Sequence, residues 1–254
     1  MNISDCKFLY DEYKKDIHQY ILEDYPNESV MGINENKELV KLDNIHEDPQ
    51  EFFRVDSKEF YDCDIVFLIH SHTVINGKGL TMPDGSWLDP RTPSKEDMQL
   101  QLGLDIPFAI VSTDGDECSD PIYFPDYDAP LLGIEYVNGA YDCWNLVMRF
   151  FKQEYGIHIE DYPRAAGHWF EDSNHKDIDV YKKYDQYGFV EVDIKNIKYG
   201  DLVMFQMKGS ISHAGIYVGD DKFIHHINKR LSSTESLPRW RNRIWKVARH
   251  EELL

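Results

Sequence analysis

Cys143 stands at the head of a stretch in which Val147, Phe150 and Phe151 recur at the spacing of one helix face. A cysteine there would meet unpaired backbone N–H groups and the positive end of the helix dipole, both of which favour a thiolate. His213 lies in one apolar run, and His225 lies twelve positions later, beyond the turn-forming Gly219-Asp220-Asp221. Pairing of those runs as a hairpin would bring the two imidazoles within diagonal reach. Cys143, His213 and His225 could then serve as nucleophile, base and orienting group in acyl transfer. Two other readings stay open on the residues alone: a buried, unreactive cysteine beside a satisfied core histidine, or a Cys/His/His zinc set without an evident fourth ligand.

A second constellation precedes it. His70 and His72 close an apolar run, Ile65 to Ile69, and strand alternation points both rings to one side. Such a pair can supply two zinc ligands, with Asp97 as a third and water as a fourth, while Glu28 could take a proton from that water and pass it on. The bland alternatives are an ordinary polar strand end and a solvated glutamate. Ser94-x-x-Asp97 also has the form of a helix capping box, although Glu or Gln is more usual in its last place.

These residues need elements to hold them. Residues 5 to 23 predict a helix with a loose stripe of Phe8, Leu9, Tyr13, Ile17, Tyr20 and Ile21, ended by Pro26. Short strands follow at 28 to 32 and 37 to 42, and 64 to 72 reads as a buried central strand. Residues 76 to 93 form a long Gly/Pro/Asn-containing passage of the kind that is often functional. A helix from Ser94 to Leu102 and a strand from Phe108 to Ser112 come next. The Asp/Pro-rich stretch 114 to 130 reads as a boundary, dividing the chain into domains at 1–125 and 126–254. Beyond the Cys143 helix, 201 to 205, 211 to 218 and a run through Phe223, His225 and Ile227 predict strands.

The 254 residues suffice for one large or two compact domains, and 42% apolar content supplies ordinary cores. A formal charge of -19 argues against broad affinity for nucleic acid or anionic membrane. Arg239, Arg241 and Arg243 read as one solvated strand face or a local basic patch. Four widely spaced cysteines without a CxxC pair give no disulfide framework or zinc ribbon. With no secretory signal and no long apolar segment, the expectation is a product without membrane insertion.

The strings YDCWNLVMRFFKQEYGI, GDLVMF, SHAGIYVG and DKFIHHI together resemble the NlpC/P60 family of papain-like peptidases, from about Leu132 to Ile227, and the DCW form is similar to the bacteriophage-tail branch. That resemblance implies an α+β papain-like domain with Cys143 as nucleophile, His213 as general base and His225 orienting it, with His226 as a competitor for that last place. Tyr136, in the setting Gly133-x-x-Tyr136-x-x-Gly139, resembles the family tyrosine that assists the oxyanion. PNES, IHSHT, TPSKEDM and PFAIVS resemble the JAMM, or MPN-type, metallopeptidases across roughly residues 15 to 115. This second resemblance implies an α/β mixed-sheet domain with flanking helices. Its roles fall on Glu28 as acid/base, on His70, His72 and Asp97 as Zn2+ ligands, and on Ser94 as oxyanion donor. Two departures are Thr73, where the family usually has proline, and a lengthened interval from His72 to Ser94, read as a lid or partner contact.

The domain order is similar to that of lambda-type phage tail peptidases. It implies a peptidase at the virion tail tip, assembled in the host cytoplasm among tail-tip proteins and acting on bacterial cell-wall peptides or tail proteins. The alternatives are a bacterial isopeptidase and a structural tail-tip or assembly protein with one or both sites unused.

Overall fold

The computed structural model describes residues 1–74, 88–164, 181, 183–207 and 210–254. They divide into two compact units, Met1–Asp126 and Tyr127–Leu254.

The first unit opens with α1 (Ile3–Asp24), started by Asn2, whose side-chain oxygen accepts from the Asp5 N–H at 2.8 Å. Its buried face is Cys6, Leu9, Tyr10, Ile17 and Ile21. Phe8, assigned from sequence to the apolar stripe, is 69% exposed, because it lies off the arc shared by Cys6, Tyr10 and Ile17. The remaining elements are β1 (Val30–Asn34), β2 (Leu39–Leu42), α2 (Ser57–Asp62), β3 (Ile65–Thr73), α3 (Lys95–Leu104), β4 (Phe108–Thr113) and β5 (Ile122–Phe124). The sheet order is β2-β1-β3-β4-β5, with β3 and β4 parallel and the other pairs antiparallel. A parallel pair needs a crossover, and α3 lies on it.

The face of α1 packs on Met31, Ile33, Phe67, Ile69, Ala109 and Val111. Full burial of Ile17 and Ile21 contributes about 1.5–3 kcal/mol each. Since alternate residues of a strand face opposite ways, the same register turns His70 and His72 to the other side of the sheet. Strand β5 falls inside the stretch read as a boundary. Its three residues stand between Pro121 and Pro125, and punctuation of that kind masks so short a strand.

The second unit has α4 (Cys143–Tyr155) and the strands β6 (Phe189–Val192), β7 (Leu202–Met207), β8 (Ser210–Gly219), β9 (Lys222–His225), β10 (Ser233–Ser236) and β11 (Ile244–His250). They form an antiparallel sheet in the order β10-β9-β8-β7-β11-β6. Leu146, Val147, Phe150 and Phe151 of α4 are fully or almost fully buried with Leu202, Met204, Ala214 and Ile216. A second cluster gathers Val203, Phe205, Phe223, Leu237, Trp240 and Val247. The arginine run is not a strand: Leu237–Arg243 is a 3-10 helix started by Pro238. Its three arginines are exposed, and Arg243 lies 5.0 Å above the Trp240 ring, so the alternation reflects no strand face.

Candidate functional site

In the first unit, His70, His72 and Asp97 come together. The two Nε2 atoms are 3.2 Å apart, His70 Nε2 is 3.3 Å from Asp97 Oδ1, and His72 Nε2 is 3.4 Å from Asp97 Oδ2. Tetrahedral ligands at zinc bond lengths are separated by about 3.3 Å, so this donor set is dimensioned for such an ion. A His/His/Asp cluster able to coordinate a metal is therefore present. His72 Nδ1–H donates to the Pro90 carbonyl at 2.7 Å, which turns its Nε2 towards His70 and Asp97. Pro90 belongs to the 73–93 interval read as a lid or partner contact. Residues 75–87 of that interval lie outside the described residues.

Asp97 owes its position to the start of α3. The Ser94 oxygen accepts from the Asp97 N–H at 3.0 Å, and Asp97 Oδ2 accepts from the Ser94 N–H at 2.7 Å. The capping-box reading of this pair holds, with Ser94 as the helix cap, and the same Asp97 carboxylate faces His70 and His72. Glu28 precedes β1 and is buried, its Oε1 3.9 Å from His72 Nε2. Burial pushes its carboxyl up to about 8, against the opposing pull of His72.

In the second unit, β8 and β9 pair Gly215 with His225, setting His213 and His225 diagonally. His213 Nε2 meets His225 Nδ1 at 2.9 Å. His226 points elsewhere, its ring edge-on to Tyr136 at 5.2 Å. Just before His213 the β7–β8 register passes from Phe205↔His213 to Gln206↔Ile211, with Ser212 as the extra residue of a bulge that re-aims the strand. The His213 ring stacks on Phe205 at 5.6 Å and lies 5.8 Å from Trp240.

Cys143 is the first residue of α4 and is buried. Its sulfur is hydrogen-bonded to Tyr181 Oη at 3.1 Å and lies by the backbone N–H of Ala214, the neighbour of His213. Among the described residues no hydrogen bond joins it to the His213 ring. Burial, and then the Asp142 charge, push the thiol up to about 11, and burial holds His213 well below the usual imidazole range. Burial thus favours the neutral thiol and the neutral imidazole of the pair. Tyr136 is half-buried, with its hydroxyl 3.5 Å from Asn138 Oδ1, and burial and nearby Asp142 and Cys143 keep it protonated.

Besides Tyr181 at the sulfur, three groups escaped the sequence reading. Asp142 caps α4 by accepting from the N–H groups of Trp144 and Asn145 at 2.9 and 3.0 Å. Arg164, 3% exposed, donates to Asp142 Oδ2 at 2.7 Å, Asp161 Oδ1 at 2.6 Å and Asn145 Oδ1 at 2.6 Å, bracing the turn that presents Cys143. Glu235 Oε1 lies 3.5 Å from His225 Nε2. Asp142 adjoins the cysteine and was within reach of a capping argument; Arg164 and Glu235 carry no local signal.

The chain is 29% identical over 219 residues to tail tip assembly protein K of Escherichia phage N15, covering 83% of this chain and 81% of that protein. It is 28% identical over 193 residues to tail tip assembly protein K of Escherichia phage lambda, with 74% and 82% covered. Similarity to the murein DD-endopeptidase MepS/murein LD-carboxypeptidase of Escherichia coli strain K12 is 27% over 105 residues, or 40% of this chain and 45% of that one. A model of the NlpC/P60 family matches residues 133–249. With its helix-borne cysteine and strand-borne histidine pair, the second unit thus carries an NlpC/P60-family domain, preceded by a first unit that holds a His/His/Asp cluster.

Proposed function

We propose that this protein is a bacteriophage tail-tip peptidase whose second unit hydrolyses bacterial cell-wall peptides through Cys143, His213 and His225. The observation that carries the reading is the 2.9 Å bond between the two imidazoles within the matched NlpC/P60 segment that also presents Cys143 at a helix start. The similarity to tail tip assembly proteins supports the setting, and the similarity to a murein endopeptidase supports the substrate class. Tail-tip proteins are its partners, and assembly takes place in the host cytoplasm. Among the described residues no helix is long and apolar enough to cross a membrane.

The chemistry is two-step acyl transfer. His213 takes the Cys143 proton as sulfur attacks the peptide carbonyl, while the Cys143 N–H at the start of α4 and the Tyr136 hydroxyl receive the oxyanion. The C–N bond breaks as His213 returns the proton to the leaving amine. Water, deprotonated by His213, then releases the acyl group from sulfur. The contact between sulfur and base closes on substrate binding, as catalytic hydrogen bonds commonly do.

In the first unit, His70, His72 and Asp97 would hold a zinc ion in a JAMM-type site. Bound there, zinc would supply Lewis-acid polarisation of a carbonyl and of water. Glu28, 3.9 Å from His72, would hold the proton exchanged with water and leaving group, and the Ser94 hydroxyl hydrogen remains available for an oxyanion.

Digestion of purified cell-wall peptides by wild type, Cys143→Ala and His70→Ala, with products identified by mass, tests the assignment. Cys143→Ala is expected to abolish cleavage and His70→Ala to retain it. Retention by Cys143→Ala refutes the thiol mechanism. A structural tail role is the second reading, favoured by the burial of Cys143 and its bond to Tyr181, and an inert wild type would select it.

A further inference from the structure

Behind the histidine pair lies a carboxylate that neither the family resemblance nor the acyl-transfer scheme uses. Glu235 sits on β10, whose register with β9 opposes Ser233 to His225 and so places Glu235 diagonally from that histidine. Its Oε1 is 3.5 Å from His225 Nε2 and its Oε2 accepts from Trp240 Nε1–H at 2.6 Å. Arg230 Nη1 is also 3.5 Å from Oε1, from a largely exposed position. The Trp240 ring stands edge-on to His225 at 5.0 Å, and Phe223 covers that histidine at 4.6 Å.

A carboxylate can only accept, so the 3.5 Å contact of Glu235 with His225 Nε2 favours one order of donors along this chain. Trp240 is a donor only, and a carboxylate is an acceptor only. Glu235 therefore faces a donating His225 Nε2–H, which makes His225 Nδ1 an acceptor. The 2.9 Å bond at that atom must then be donated by His213 Nε2–H. His213 is left with its lone pair on Nδ1, the ring nitrogen free to take a proton. Each ring is neutral, so a single choice at the carboxylate end propagates through both imidazoles.

Resting on the proposed thiol mechanism, we infer that Glu235 is a positioning residue that sets the tautomers of His225 and His213, with Trp240 fixing which way it acts. An amide in its place reverses the order. In Glu235→Gln, Trp240 still requires an acceptor and claims the side-chain carbonyl, turning the NH2 group towards His225 Nε2. His225 then becomes the Nδ1–H tautomer, His213 Nε2 becomes an acceptor, and His213 Nδ1 carries hydrogen and cannot serve as base. Removing the tryptophan donor frees the glutamine to turn its carbonyl to His225 and restores the original order.

The test uses the full chain labelled with nitrogen-15 on histidine, read by long-range nitrogen–proton correlation, with the rate of iodoacetamide alkylation at Cys143 followed by peptide mass. Wild type should show Nε2–H tautomers at both histidines. Glu235→Gln should show Nδ1–H at both and alkylate about tenfold more slowly, the loss expected when a hydrogen bond to a charged group is removed. The double variant Glu235→Gln/Trp240→Phe should recover the wild-type tautomers and most of the rate. A rate loss without a tautomer change, or a double variant no better than the single one, overturns the inference. Unreactive wild-type Cys143 together with the expected tautomer reversal supports the relay and refutes the peptidase reading instead.

Discussion

Replacing Arg164 with methionine probes the turn that presents Cys143. The guanidinium is 3% exposed and joins Asp142 at 2.7 Å and Asp161 at 2.6 Å. Methionine fills much of the same volume but leaves Asp161, whose pKa burial already raises, without its opposing cation and with only the Tyr162 N–H at 2.9 Å and the Asn145 Nδ2–H at 3.2 Å. Asp142 fares better, because it retains the N–H groups of Gly139, Trp144 and Asn145. Removing one partner from a buried ion pair costs about 3–5 kcal/mol, a large share of the roughly 5–15 kcal/mol that holds a domain together. The assay is urea unfolding followed by tryptophan fluorescence, since four of the five tryptophans, Trp144, Trp169, Trp240 and Trp245, belong to the second unit. A buried carboxyl whose pKa rises on folding binds its proton more tightly in the folded state. The deficit should therefore be full near neutral pH and shrink as pH falls towards the unfolded carboxyl value. Adding Asp161→Asn should restore part of the loss at neutral pH. A loss under about 1 kcal/mol, or one insensitive to pH, would refute the account of Arg164 as the brace of this turn.

The second unit should also weaken in acid. Burial lowers the pKa of His213, His225, His226 and His250, that of His226 from 6.5 to about 4. The unfolded chain then binds more protons below pH 6.5, so stability is level above that value and falls beneath it, by about 3 kcal/mol at pH 4 from His226 alone; a pH-independent urea midpoint between 7 and 5 would contradict this. Gly215→Ala should part the hairpin that joins His213 to His225, because its Cβ would lie 2.7 Å from the Ile224 carbonyl oxygen and 3.1 Å from His225 Cβ. A cost of about 1–3 kcal/mol is expected by thermal melting, and an unchanged melting temperature would show that the strands yield freely. Zinc titration against a chromophoric chelator should give one site that His70→Ala abolishes and Ser94→Ala weakens roughly tenfold; equal binding by all three proteins would dissociate the ion from this cluster.

Local pattern explains what was readable in advance. The helix of Cys143 announced itself through Val147, Phe150 and Phe151, and the histidine hairpin through the turn at Gly219-Asp220-Asp221 between two apolar runs. His70 and His72 were bound to share a side because strand alternation admits nothing else. The choice between His225 and His226 at His213 followed the same alternation, and the structure joins His225 to it. What escaped was set by contacts distant in sequence. Arg164 reaches back 22 positions to Asp142, and Tyr181 reaches 38 to Cys143. The Pro90 carbonyl that orients His72 belongs to a backbone atom, which leaves no trace in residue identity. Alternating arginines at 239, 241 and 243 imitated a strand because exposure, rather than β pairing, is what they share.

The start of α3 has a consequence for how the first unit can change. Its Asp97 closes the helix with Ser94 and offers the same carboxylate to His70 and His72. Secondary structure and ligand geometry thus draw on two oxygens of a single side chain. Fraying of the first helical turn must disperse the ligand set, and an ion held by that set would in turn clamp the turn shut. A substitution at position 97 would therefore disturb the helix start and the His70–His72 cluster together.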